Sequence, residues 1–268
     1  VQEIAVEEVK GRAIVMVGTG SYSTTQTIIA TKEAEEIGAD VALIVIPYYN
    51  KPTQEGIYRH FAAICEATSL PICIYNAPGR TAQNLQPDTL RRLALFPSIV
   101  AVKETGGNMT QIQDVIQSIQ ERPAPFAVLS GDDEMTLPLM ALGGNGCISV
   151  LGNLMPGPVR ALIQAAAAGD FALARLWHYR LLPLFKASFM ETNPIPIKAA
   201  MQLCGLPSGS CRLPLCHLDP HHAALLEQLL NAPPSDWLGD YGQKKSSRIE
   251  TTRRVFIPGN RPAEASFS

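Results

Sequence analysis

Six short apolar, largely β-branched runs recur along the chain, at 13–18, 41–47, 71–76, 99–104, 126–131 and 146–150. They are apolar nearly throughout rather than alternating, which predicts strands covered on both faces. Amphipathic helical patterns lie between them. The stretch from Ser23 opens on Ser/Thr residues and closes at Gly38, the usual signals for helix start and stop. Thr53 is placed to cap a second helix, with Ile57, Phe61 and Ile64 on one face. Segments 86–96 and 109–121 repeat the logic, and four more helical segments follow residue 155.

Regular strand–helix alternation predicts a parallel sheet of βα units, either a closed (β/α)8 barrel or an open doubly wound sheet. Polar and glycine residues gather just after each run: Gly18-Thr19-Gly20, Tyr48-Tyr49-Asn50, Asn76, Glu104-Thr105, Gly131-Asp132-Asp133 and Ser149. Six consecutive loaded strand ends fit the ring of loops atop a barrel better than a single crevice. The expected organisation is barrel strands and helices over 1–155, a last barrel helix and C-terminal helical region over 156–232, and a disordered tail over 233–268.

Composition narrows the function classes. Of 268 residues, 46% are hydrophobic and 17% charged, with a net charge of −2. That balance offers no footprint for nucleic acid or an anionic membrane. No stretch reaches the roughly 20 apolar residues of a membrane span. Cys65, Cys73, Cys147, Cys204, Cys211 and Cys216 form no CxxC pair, which predicts reduced thiols in a cytoplasmic protein.

Candidate chemistry begins with Lys103, which closes an apolar strand in "VAVKETGG". Lysine normally keeps its ammonium in water. Burial disfavours the charged form, and a free amine can attack a ketone. The competing reading is a lysine that snorkels to the rim or pairs with Glu104. The neighbouring strand end, "IYNAPGRT", brings Tyr75, a phenol able to shuttle protons, and Arg80, a planar fork suited to a carboxylate. In a barrel, Tyr75 and Lys103 project into the same mouth. "VGTGSYS" lacks the third glycine of a dinucleotide loop, Ser23 standing there. His221-His222 reads as a solvated face, Asp132-Asp133 as a capping pair for the next helix, and Lys198 as a rim charge.

The segments "GTGSYST", "PYYNKPTQEGIYRHF", "IYNAPGRT", "VAVKETGGNMTQI", "LSGDDEMTLPLMALGGNGCISV" and "NPIPIKAAMQLCGL", in this order, resemble the dihydrodipicolinate synthase/N-acetylneuraminate lyase family of class I aldolases. The resemblance implies a (β/α)8 TIM-type barrel with additional C-terminal helices, assembled as a homo-oligomer. It implies condensation of pyruvate with aspartate 4-semialdehyde in lysine and diaminopimelate biosynthesis, with no cofactor beyond a covalent imine of pyruvate on lysine. By position, Lys103 is the imine former, Tyr75 the proton donor and acceptor, and Arg80 the holder of the semialdehyde carboxylate. Ile148 gives backbone contacts to pyruvate, and Tyr49 reaches the active site of a neighbouring subunit. Arg80 favours the synthase over sialic acid lyases, and cleavage of a keto-deoxy sugar acid by the same imine chemistry is the related alternative.

The chain departs from the pattern in two places. The family's first two strands and their threonine-pair loop have no counterpart here, so weak or absent catalysis by this polypeptide alone is expected. The positions that contact inhibitory lysine in regulated relatives read Tyr22 and Gln26, so weak lysine feedback is expected.

Overall fold

The computed structural model describes residues 1–120, 122, 124–206 and 209–231; the tail expected over 233–268 lies outside them. Six strands form one sheet: β1 (Met16–Gly18), β2 (Val41–Val45), β3 (Ile72–Asn76), β4 (Ile99–Glu104), β5 (Ala127–Ser130) and β6 (Gly146–Cys147). Every neighbouring pair is parallel, and the spatial order β1-β2-β3-β4-β5-β6 follows the chain. A doubly wound sheet reverses order at a switch point, whereas an unreversed order of one-handed crossovers sends all helices to one face. The sheet therefore winds as a barrel does, through six strands.

The helices are α1 (Gln2–Val9), α2 (Thr24–Glu36), α3 (Gln54–Ala67), α4 (Pro78–Thr81), α5 (Pro87–Leu93), α6 (Met109–Ile119), α7 (Thr136–Ala141), α8 (Pro156–Ala167), α9 (Phe171–Ala187), α10 (Ile195–Leu203) and α11 (Pro220–Asn231). Their starts obey the sequence. Ser23 accepts from the Gln26 amide, Thr53 from Gly56 and Asn108 from Gln111, each satisfying an orphan donor of a first turn. Gly38 follows α2 with φ +83°, a conformation open to glycine at little cost.

The chain divides into two compact units. The first, Val1–Ser149 with Ala165–Phe171, holds the sheet. Its helix-facing side buries Ala42, Ile44, Ile46, Ile72, Ile74, Val102 and Val128 against α3, α5 and α6, whose own Ile57, Phe61, Ile64, Leu90, Leu93 and Val115 are fully buried. The opposite side is half-buried at Val41, Leu43, Val45, Tyr75, Lys103 and Leu129. This differs from the expectation of two covered faces, because an unreversed winding leaves no helix for the inner side. The second unit, Val150–Gln164 with the described residues from Ala172 onward, is helical. Its α10 buries Ile195, Ile197 and Ala200, α11 buries Leu226, and His222 Nδ1 meets Glu191 Oε1 at 2.7 Å.

Observed strands are shorter than the apolar runs. At β6 the ladder stops after Cys147, although the Ile148 amide still donates to Ser130 O at 2.8 Å, and the chain then turns into a short helical turn over Leu151–Asn153. One irregularity matters for function. Ile72 pairs with Ile99 but Cys73 with Ala101, so Val100 is an extra residue, a bulge in β4. Beyond it the register runs Ile74 with Val102, Tyr75 with Lys103 and Asn76 with Glu104. The bulge inverts the alternation begun at Ile99. Lys103 thus lies on the inner side although Ile99, four residues earlier, is buried on the helix side.

Candidate active site

Lys103 and Tyr75 are direct register partners at the carboxyl ends of β4 and β3, and both are half-buried. The lysine Nζ lies 4.0 Å from the centroid of the tyrosine ring, a cation–π approach worth about 0.5–2 kcal/mol. The contact sets the ammonium's resting place against an aromatic face. Glu104 does not pair with Lys103, because adjacent residues of a strand point to opposite faces.

The inner side around this pair is apolar, with Val45 and Leu129 in register on either side of Tyr75 and Lys103. Two thiols feel the charge of Lys103. Burial pushes Cys73 up to about 12 and Cys147 up to about 11, so both remain thiols and neither competes with an amine for a carbonyl. Gly131, just after β5, makes room for the lysine. A Cβ there would fall 2.8 Å from Lys103 Cε, 2.0 Å from Thr105 Oγ1 and 3.1 Å from the Glu104 carbonyl.

The helix side of the same strand ends is polar and closed. Asn76 and Glu104 are 0% and 5% exposed. Asn76 Nδ2 donates to Glu104 Oε1 and Oε2 at 3.3 and 3.0 Å, and to Asn84 Oδ1 at 2.9 Å. Gln111 Nε2, from α6, donates to Glu104 Oε2 at 3.2 Å and to Asn84 Oδ1 at 3.0 Å. Burial raises the Glu104 carboxyl to about 7, against the opposing pull of the Asn76 and Gln111 bonds. A cavity of about 390 Å3 opens beside this cluster, lined by Asn84, Glu104, Thr105, Asn108, Gln111 and Asp132.

The other expected residues sit on loops at the same strand ends. Arg80 is exposed on α4, a single helical turn. Tyr49 is 88% exposed with φ +70°, a strained conformation for a residue with a Cβ. Tyr48 packs edge-on against Tyr22, centroids 5.6 Å apart. Ile148 follows β6, and its amide is taken up by Ser130, so a backbone contact from it to a substrate falls to its carbonyl. Asp132 stands at the N-cap of the turn Asp133–Met135, but no side-chain cap bond forms. Its Oδ2 instead accepts from the Gly106 amide at 2.7 Å, tying the loop after β4 to that after β5.

The sequence marks Asn76, Glu104 and Gly131 as strand-end residues without giving them roles. Their contacts depend on the bulge and on Asn84 and Gln111, which no local pattern links to them.

Comparison with known proteins gives the family of the chain. A model of the dihydrodipicolinate synthetase family matches residues 1–233. The 4-hydroxy-tetrahydrodipicolinate synthase of Protochlamydia amoebophila is 56% identical over 236 residues, covering 88% of this chain and 79% of that protein. The crystal structure of dihydrodipicolinate synthase from Aquifex aeolicus superposes with a TM-score of 0.83 at 46% identity, covering 87% of this chain and 80% of that one. A structure described as the first monomeric dihydrodipicolinate synthase variant gives 0.84 at 40% identity, over 86% and 77%. With a family model spanning most of its length and a sheet of the same fold, the chain belongs to the dihydrodipicolinate synthetase family.

Proposed function

We propose that this chain carries the imine chemistry of a 4-hydroxy-tetrahydrodipicolinate synthase, with Lys103 as the nucleophile. The carrying observation is the in-register Tyr75–Lys103 pair with Nζ over the ring at 4.0 Å. The free amine adds to the ketone carbon of pyruvate, and loss of water gives the imine. Loss of a proton from the adjacent methyl gives an enamine, whose carbon attacks the aldehyde of aspartate 4-semialdehyde. Tyr75 carries the protons of the addition and dehydration steps. The iminium takes up the electron pair released at carbon, so the chemistry calls for no metal or organic cofactor. Arg80 receives the carboxylate of the aldehyde substrate, and the Ile148 carbonyl faces pyruvate.

In this reading β1–β6 are consecutive strands of an eight-stranded barrel, and two further strands bridge β6 to β1. The exposed Tyr49 ring is offered to a second copy in a homo-oligomer. The enzyme works in the cytoplasm, where its six thiols stay reduced.

Borohydride reduction with pyruvate, followed by peptide mass mapping, tests the reading. A pyruvyl adduct on Lys103, absent in Lys103→Ala, is expected; an adduct elsewhere or none refutes it. Substrate-dependent turnover with aspartate 4-semialdehyde and not with a sialic acid identifies the synthase. Lysine is expected to leave the protein unregulated. Tyr22, 54% exposed, and the exposed Gln26 present no carboxylate to its ammonium. Calorimetric titration that shows micromolar lysine binding would overturn this.

A further inference from the structure

The ends of β3 and β4 carry two in-register pairs on opposite faces: Tyr75 with Lys103 inside, Asn76 with Glu104 behind. We infer that the Asn76–Glu104 pair, buttressed by Asn84 and Gln111, is a positioning device that fixes the spacing of Tyr75 and Lys103. The inference rests on the reading of Lys103 as imine former.

Three observations support it. First, the side-chain bonds continue the ladder where its backbone bonds end. Thr105 N donates to Asn76 O at 3.1 Å and Gly131 N to Glu104 O at 2.6 Å, and beyond these the strands separate into loops. Second, the cluster is closed. Asn76 Oδ1 accepts from the Leu85 amide at 3.0 Å, and Asn84 Nδ2 donates to Gln111 Oε1 at 2.6 Å. The cluster thereby joins β3, the segment after α4, β4 and α6 at one point. Third, a carboxylate buried among amides is costly, and an apolar pair of the same volume would fill the space at less cost. Hydrogen bonds with direction give what apolar packing does not, a fixed rotation of each strand end about its axis. Because neighbouring side chains alternate, that rotation aims the residue before each partner, Tyr75 and Lys103.

The charge of Glu104 matters to the clamp. Three amide N–H···O contacts converge on its two oxygens, and a proton on either oxygen displaces one of them. Burial pushes this carboxyl up to about 7, so its proton occupancy changes around neutral pH. The groups facing it from α6 and from the segment after α4 are the amides of Gln111 and Asn84. Asp132, from the loop after β5, is the other acid lining the same cavity, and it is engaged by the Gly106 amide. Lys103 lies on the other face.

The test is the rate of borohydride-trapped pyruvyl-Lys103 formation across pH 5.5–9, with thermal unfolding followed in parallel. Glu104→Gln turns one acceptor into a donor facing Asn76. We expect trapping at least about ten-fold slower in a folded protein, and loss of an inflection near 7 that is expected of the wild type. The exchange Asn76→Asp with Glu104→Gln, which returns a carboxylate to the pair from the other strand, is expected to recover rate. Gln111→Met, which removes the donor to Glu104 and Asn84 and the acceptor of Asn84 Nδ2, should slow trapping in the same direction, and it carries the test if Glu104→Gln does not fold. Wild-type rate and an unchanged pH profile in Glu104→Gln, or in Gln111→Met where that variant stands in, overturn the positioning role alone. A loss that tracks the unfolded fraction does the same. A wild type that forms no adduct overturns the imine reading, and the inference with it.

Discussion

At the scale of single residues, the site depends on what is absent as much as on what is present. Gly131 is the clearest case, since any side chain there meets Lys103 Cε and Thr105 Oγ1. Gly131→Ala is expected to displace the lysine and slow pyruvate trapping by about ten-fold or more, with little change in melting temperature; trapping at the wild-type rate would show the contact to be slack. Glu104 and His60 also make the stability curve legible. The folded pKa of Glu104 is raised from 4.5 to about 7, so the folded state binds the proton more tightly and loses stability as pH rises from about 4.5 to 7. His60 is buried with its folded pKa lowered from 6.5 to about 4, so its contribution is present above 6.5 and lost as pH falls towards 4. Each effect is on the order of 3 kcal/mol. Between about 4.5 and 6.5 they oppose one another. Glu104→Gln is therefore expected to leave stability falling steadily on acidification through that interval, where the wild type is nearly level; denaturant midpoints against pH decide it.

Among elements, those with strong periodicity or caps were legible from sequence. Helices α2 and α3 begin where Ser23 and Thr53 cap them, and β4 spans the same six residues in sequence and structure. The phase of β4 was not legible, because an extra residue at Val100 leaves no mark in an all-apolar run. Nor was Arg122, which from outside any helix or strand holds the foot of the sheet. Its guanidinium donates to the carbonyls of Ala94 at 2.6 Å, Ala124 at 2.8 Å, Ile99 at 2.9 Å and Pro125. Hydrogen bonds from charged donors contribute about 1.5–3 kcal/mol each where buried, and less where water competes. Arg122→Met should cost about 2–3 kcal/mol in chemical denaturation, while pyruvate trapping at the opposite end of the strands is unchanged. A neutral effect would mean that water replaces the arginine.

On the scale of the whole molecule, strand–helix alternation revealed the class of fold, and the loaded strand ends marked the end of the sheet where Lys103 and Tyr75 meet. Both follow from short-range pattern. What the pattern missed was the contrast between faces, an amine and a phenol on one side and a carboxylate among amides on the other, since that contrast arises only when β3 and β4 are paired. The bulge at Val100 also bears on how such a strand tolerates change. With one residue more than its neighbour requires, β4 can lose a residue from its middle by straightening, and the lysine keeps its side of the sheet. A strand matched residue for residue has no such slack, and the same loss would turn its nucleophile towards the helices.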